Sequence, residues 1–354
     1  MKKALLIIVS SLLSLILLGC LSFYLLIVAG LSPSLQEMWV CSAMRTLNHK
    51  YLATAFISQE KIDEIMAKNE VDDSGMDSEI IEFEKLPDID IDINIETDTE
   101  RKPVDPYVSE GYSPLEEGIY LKEVNGATWR GFVMMITDPK RVKLAQTKYQ
   151  FEKGQTVMKM TEQENAIAGV NGGGFQDGAN YDSNGGMPAG LLIVDGKLIY
   201  PETPDDRVYN MIGINKDGVL VLRHTTASWA LENDIVSAVS FSPFLVVNGE
   251  GTVKNGSGGW GIAPRTAIGQ RETGEFIFLV IDGRQVNWSI GVDLDVLQEV
   301  LLKEKCINGA MMDGGSSTAL VYDGDYVNKP SLGHERWINN CWVVSKLEEN
   351  QETE

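Results

Sequence analysis

The stretch Met311-Met-Asp-Gly-Gly-Ser-Ser-Thr-Ala-Leu-Val-Tyr322 places one carboxylate, Asp313, at the end of an apolar run. Two glycines and three hydroxyls follow at once, and a second apolar run begins at Ala319. An acid at a strand end, beside backbone that is free to turn and rich in donors, suits acid–base chemistry. The same residue types also make an ordinary tight turn with a helix cap. Three more Gly/Asn/Asp-rich turns close apolar runs: Ala168–Phe175, Gly258–Gly269 and Ile281–Arg284. A polar segment, Asn328–Arg336, follows them.

Positioning such turns requires a scaffold of strands. From Tyr107 onward the chain breaks into short apolar runs separated by Gly, Asn, Asp and Pro, and these read as strands from Ile119–Glu123 to Cys341–Ser345. Among them Ala168–Asn171, Arg265–Gln270, Phe276–Asp282 and Ala310–Asp313 carry the polar turns. Asp195-Gly196, Asp217-Gly218 and Asp323-Gly324 read as hairpin turns. Helices are expected at Met158–Asn165 and from Leu294 to Lys305, the latter with Leu294, Leu297, Val300 and Leu301 on one face. The fold class is therefore α+β, a strand-rich mixed sheet domain with a few packed helices, large enough for a substantial core.

What precedes this domain differs in texture. Lys2-Lys3 and a long apolar run from Ala4 to Leu31 read as a transmembrane signal anchor, residues 1–32, with the bulk of the chain extracytoplasmic. Lipidation at Cys20 is the alternative. Residues 33–70 read as a helical juxtamembrane stalk, with oligomerisation through it as the sharper option. Val71–Asp105 holds thirteen acidic and three basic residues, so an acidic linker is expected over 71–106. The globular domain spans 107–347 and a polar tail 348–354.

The net charge of −21 argues against a nucleic-acid binder. Four cysteines are too few for a disulfide scaffold, although Cys306 and Cys341 could pair, and three histidines make a multi-histidine metal centre improbable. No metal ligand set is legible; Asp-rich turns would permit calcium without supporting it, and no cofactor is called for.

Four motifs taken in order carry a resemblance. Asn171-Gly-Gly-Gly-Phe, Pro264-Arg-Thr-Ala-Ile-Gly, Asp313-Gly-Gly-Ser-Ser-Thr and the Asn328-Lys-Pro-Ser…Glu335-Arg336 segment resemble the phosphodiester glycosidase family over roughly Gly118–Ser345. Departures are a third glycine, Gly174, before Phe175, Ser316 where the family often has glycine, and Lys329 where it often has arginine.

The resemblance implies hydrolysis of a sugar-1-phosphodiester, leaving a phosphomonoester. For that task Arg265 is expected to grip the phosphate. Gly172, Gly173, Gly314 and Gly315 would bring backbone N–H groups close to phosphate oxygens, with Ser316 and Ser317 beside them. Asp313 is the expected acid, base or nucleophile, and Asp282 or Glu335 the second carboxylate. Asn171, Thr266 and Arg336 are expected to bind substrate, and Trp260 to stack on a sugar. The expected partners are a glycan or glycosyl-phosphodiester substrate of the cell surface or exopolysaccharide, and the membrane. A non-catalytic glycan-binding or polysaccharide-assembly protein on the same fold is the rival reading.

Overall fold

The computed structural model describes residues 2–45, 49–81, 105–177 and 183–347. The acid–aliphatic alternation at 88–93 and the polar tail lie outside them. The chain forms two compact units. One comprises Met1–Val71, Val253–Ile262 and Asp293–Asp295; the other comprises Asp72–Thr252, Ala263–Val292 and Val296–Glu354.

In the first unit, helix α1 (Lys2–Phe23) runs into a π-helical turn, Tyr24–Val28. Together they give a helix, Lys3–Val28, that is long and apolar enough to cross a membrane. Helices α2 (Pro33–Met44), α3 (Tyr51–Thr54) and α4 (Gln59–Asn69) follow. Pro33 opens α2 and the Ser58 hydroxyl caps α4 by accepting from Lys61 N–H. These helices are not a bare stalk. Val40, Cys41, Ala53, Ile57, Ile62 and Ile65 pack with Ile27 into a small core, because their apolar faces find one another.

The second unit is strand-rich. In chain order the strands are β1 (Ser113–Glu116), β2 (Ile119–Asn125), β3 (Arg130–Ile136), β4 (Val142–Gln146), β5 (Ala166–Asn171) and β6 (Leu192–Val194). Then come β7 (Lys197–Tyr200), β8 (Tyr209–Asn215), β9 (Leu220–Thr225), β10 (Ile235–Ser240), β11 (Phe244–Val247) and β12 (Glu250–Gly251). Last are β13 (Arg265–Arg271), β14 (Phe276–Ile281), β15 (Cys306–Met311), β16 (Leu320–Tyr322), β17 (Asp325–Tyr326) and β18 (Asn340–Ser345).

Three sheets result, ordered β1-β2-β3-β14-β13-β15-β11-β12, β7-β6-β10-β8-β9 and β17-β16-β5-β18-β4. All the strand pairs are antiparallel. The central strand β14, Phe-Ile-Phe-Leu-Val-Ile, is buried at every position, which explains why its sequence is continuously apolar rather than alternating. One core runs through all three sheets, from Met134, Phe278 and Ile268 to Val170, Leu222 and Trp342. Helix α5 (Pro106–Ser109) leads into β1, and helix α6 (Val157–Gln163) lays Val157 and Met160 on Cys341 and Val343. Asp195-Gly196 and Asp323-Gly324 adopt positive φ at both residues, as two-residue hairpin turns require. At Asp217-Gly218 only the glycine does.

Two expectations change. The acidic stretch is not linker from its first residue: Asp73 accepts from Phe244 N–H at 2.9 Å and Ser78 exchanges bonds with Leu222 at 2.8 and 2.9 Å. Its early carboxylates find backbone donors on strands, which outweighs their solvation in a loop. Cys306 and Cys341 are both buried free thiols and do not pair.

Candidate active site

The polar turns are brought together by strand order. Arg265 opposes Ile281, Ala267 opposes Met311, and Ile281 opposes Gly131. The start of β13 and the ends of β14 and β15 therefore share one edge of the large sheet. Residues 171–172, at the end of β5 in another sheet, clamp that edge. The Asn171 amide donates to Asp313 O at 2.6 Å, and Asp313 N–H donates to Gly172 O at 3.1 Å. Both main-chain polar groups of Asp313 are thus fixed.

Asn171 and Thr266 are fully buried and bonded to protein. The Asn171 carbonyl oxygen accepts from Thr266 Oγ1 at 2.8 Å and from Ala319 N–H at 3.1 Å. Thr266 Oγ1 also lies 3.3 Å from Thr318 Oγ1. These residues join β5, β13 and the 313–319 turn; their place is in the frame of the site.

The glycines are placed for close packing. Gly172 and Gly173 N–H donate to Asn340 O and Oδ1 at 3.2 and 2.8 Å, so neither offers the free donor expected for a phosphate. A Cβ on Gly173 would sit 2.7 Å from Val239 Cβ. Gly315 N–H donates to Pro264 O at 2.9 Å, and a Cβ on Gly314 would stand 2.9 Å from the same oxygen. Sequence reasoning took these glycines for donors because it could not see which neighbours their missing side chains admit.

Asp313 is part-exposed, yet enclosure by protein pushes its carboxyl up to about 6. The Ser317 hydroxyl, Arg336 and the Gly314 N–H oppose that rise, while Asp177 adds to it. Ser317 is buried and its hydroxyl faces the Asp313 carboxyl, whose charged form it favours. Ser316 is part-exposed on the same 3-10 turn, Gly315–Ser317. Arg336 pairs with Asp177 and lies 4.6 Å over the Phe175 ring.

Arg284 was missed as a site residue. Its guanidinium lies at 3.0 Å from where a Gly315 Cβ would be and interacts with the Asp313 charge. Its backbone is at φ 60°, a left-handed conformation unusual for arginine. Among the described residues no carboxylate lies within ion-pairing distance of it. The available signal was its place directly after Asp-Gly at a strand end.

The other expected residues sit differently. Asp282 is buried, and its carboxylate accepts from Trp288 Nε1 at 2.7 Å, Asn328 Nδ2 at 2.9 Å and Lys329 N–H at 3.0 Å. It pins the 282–289 loop to the 328–329 segment, with its lone pairs engaged. Glu335 is buried at the start of α6, bonded to Met158 N–H at 3.3 Å. Burial pushes its carboxyl up to about 7, against donors from Thr156, Met158, Tyr326 and Val157. Arg265 is buried, with Nε donating to Val292 O at 3.2 Å. Trp260 belongs to the other unit, where the Arg45 guanidinium stands 4.8 Å over its ring. Among the described residues no group of three or more His, Cys, Asp or Glu is placed to hold a metal.

The Asp313 carboxyl of raised pKa, the Arg284 guanidinium and the Ser317 hydroxyl gather at one strand edge. The chain belongs to the phosphodiester glycosidase family, whose family model matches residues 164–345. It is similar to the SPbeta prophage-derived uncharacterized protein YomE of Bacillus subtilis, 25% identical over 211 residues, covering 54% of this chain and 30% of that one. It is also similar to bovine N-acetylglucosamine-1-phosphodiester alpha-N-acetylglucosaminidase, 31% identical over 147 residues, covering 37% of this chain and 27% of the relative. The human enzyme of that name is 28% identical over 185 residues, covering 47% and 34%. The matches thus span about a third or less of the relatives' own length. The fold is shared with the zebrafish catalytic domain of the same name, at TM-score 0.54 and 22% identity, covering 64% of this chain and 82% of that one.

Proposed function

We propose that the protein hydrolyses sugar-1-phosphodiesters outside the cytoplasm while held to the membrane by Lys3–Val28, with cell-surface or exopolysaccharide material as its substrate. The observation that carries the reading is the Asp313 carboxyl, raised to about 6, with the guanidinium of Arg284 seated over neighbouring Gly315 and within reach of its charge. In this reading Arg284 takes the phosphate in a forked, charge-assisted contact. The Ser317 hydroxyl keeps the Asp313 carboxylate in its charged form.

The bond between the anomeric carbon and the phosphate oxygen breaks, and the electron pair leaves on phosphate. Above pH 6 Asp313 is a carboxylate and serves the electron-poor anomeric carbon as nucleophile or, through water, as base. Water supplies hydroxyl to the sugar and a proton to the phosphomonoester. Asp177, paired with Arg336, takes the place of the second carboxylate expected of Asp282 or Glu335. Arg265 supports the Gly314 turn from behind, and Asn171 and Thr266 hold Asp313 in place.

The test is release of free sugar from methyl N-acetylglucosamine-1-phosphate by the full chain in detergent micelles. Release that falls at least a thousandfold in Asp313→Asn supports the proposal. Binding without release in wild type would instead support a glycan-binding module.

A further inference from the structure

We propose that the sheet edge carries a second anion subsite, formed by Arg130, Trp288 and Lys329, which holds a further phosphate of the aglycone and selects a chain of repeating phosphodiesters as substrate. This rests on the hydrolase reading above and names its substrate class.

The turn between β2 and β3 and the loop after β14 enclose a cavity of about 190 Å³ lined by residues 125–130 and Trp288. Three backbone contacts fix the two segments: Arg130 N–H to Ser289 Oγ at 3.1 Å, Ile290 N–H to Thr128 O at 3.0 Å and Asp282 N–H to Arg130 O at 2.9 Å. The Trp288 indole is held by its bond to Asp282, so its ring is a fixed platform. Two cations meet on it. The Arg130 guanidinium is 4.5 Å from the ring centroid and the Lys329 ammonium 3.4 Å. The Lys329 main chain is held as well, by Gln285 Nε2 donating to its carbonyl at 2.9 Å.

Both cations are exposed, and among the described residues neither has a carboxylate within ion-pairing distance. Arg141, Arg271 and Arg336 all have one. In a chain of net charge −21, two unpaired cations on one ring are a local reversal of sign. Like charges gathered on one ring repel, and an anion bound beside the ring within reach of both offsets that repulsion.

The spacing decides which anion. Arg130 starts β3, which neighbours β14, then β13, then β15, the strand that ends at Met311, two residues before Asp313. Three strand spacings of about 4.8 Å put the two strand ends roughly 14 Å apart. The adjacent phosphates of a nucleoside diphosphate share one bridging oxygen and cannot span that separation. The next phosphate along a phosphodiester-linked polymer can.

The experiment is calorimetric titration of the full chain in detergent micelles, carrying Asp313→Asn so that no probe is consumed. The probes are methyl N-acetylglucosamine-1-phosphate, the same phosphodiester extended by two glycerol-phosphate units, and UDP-N-acetylglucosamine. The extended probe is expected to bind at least tenfold tighter than the methyl probe, with no such gain for the nucleotide sugar. Arg130→Ala/Lys329→Ala should bring that ratio to about one, and so should the charge reversal Arg130→Glu if the double variant does not fold. A ratio near one in the parent protein, a ratio untouched by the substitutions, or a gain with UDP-N-acetylglucosamine equal to that of the extended probe would each overturn the subsite. Failure of the hydrolase reading would show separately, as absence of sugar release from every probe by the protein with Asp313 intact.

Discussion

The Arg284 guanidinium lies over Gly315 and interacts with the charge of Asp313, from a backbone at φ 60°. Gly315 has φ +62°, and a Cβ there would stand 3.0 Å from the guanidinium, a tight contact. The two residues are therefore one device: a left-handed arginine seated over a left-handed glycine, aimed at an acid. Gly315→Ala should lower kcat/KM at least tenfold and cost about 1 kcal/mol from the strained backbone. Thermal melts together with initial rates check both.

Removing the guanidinium tests the phosphate contact. Arg284→Lys keeps the charge but loses the fork, and is expected to cost ten- to a hundredfold in kcat/KM. Stability should hardly change, since the head group has no ion pair among the described residues. A Lys variant as active as wild type would rule out the forked contact.

The pH profile follows from Asp313. Its carboxyl is raised from 3.8 to about 6, so kcat/KM should rise with pH through an apparent value near 6 and level off above it. Asp313→Asn should remove that limb along with the activity.

Stability should respond with the opposite sign. A carboxyl raised on folding binds its proton more tightly in the native state. The native state is thus favoured at low pH and loses that advantage as pH climbs from about 4 to about 6. At pH 8 the buried charge is a cost, and Asp313→Asn is predicted to stabilise the protein by about 1–2 kcal/mol. Denaturant titration of wild type and variant at pH 5 and pH 8 reads this, and equal midpoints at pH 8 would contradict it.

Asn171 and Glu335 separate positioning from chemistry. Asn171→Ala removes the clamp on Asp313 O and leaves Ala319 N–H without its partner, at a cost of about 2–3 kcal/mol. Glu335→Gln keeps the shape at the start of α6 and should leave kcat within tenfold of wild type. A loss from Glu335→Gln as deep as that from Asp313→Asn would return Glu335 to the catalytic group.

The sequence by itself determined the strand-rich α+β class, the apolar N-terminal helix, and Asp313 as the acid at the end of a strand. Those follow from local pattern: apolar runs between turn residues, a long uncharged stretch, an acid before two glycines. The contacts between distant residues were decided only in three dimensions. Asn171 and Thr266 look like ligands in the chain, because a polar residue beside glycines can point anywhere; the pairing of β5 against the 313–319 turn buries them. Asp282 looks like a second catalytic acid until the 328–329 segment and Trp288 fill its lone pairs. Arg284 looks like a turn residue until its left-handed backbone turns it toward Asp313. The segment 33–70 reads as helical in sequence, but which of its apolar faces meet is seen only in the packed helices. Periodicity and turn chemistry are properties of neighbours in sequence, whereas hydrogen-bond satisfaction and burial depend on which strands meet, and that is set by the sheet order.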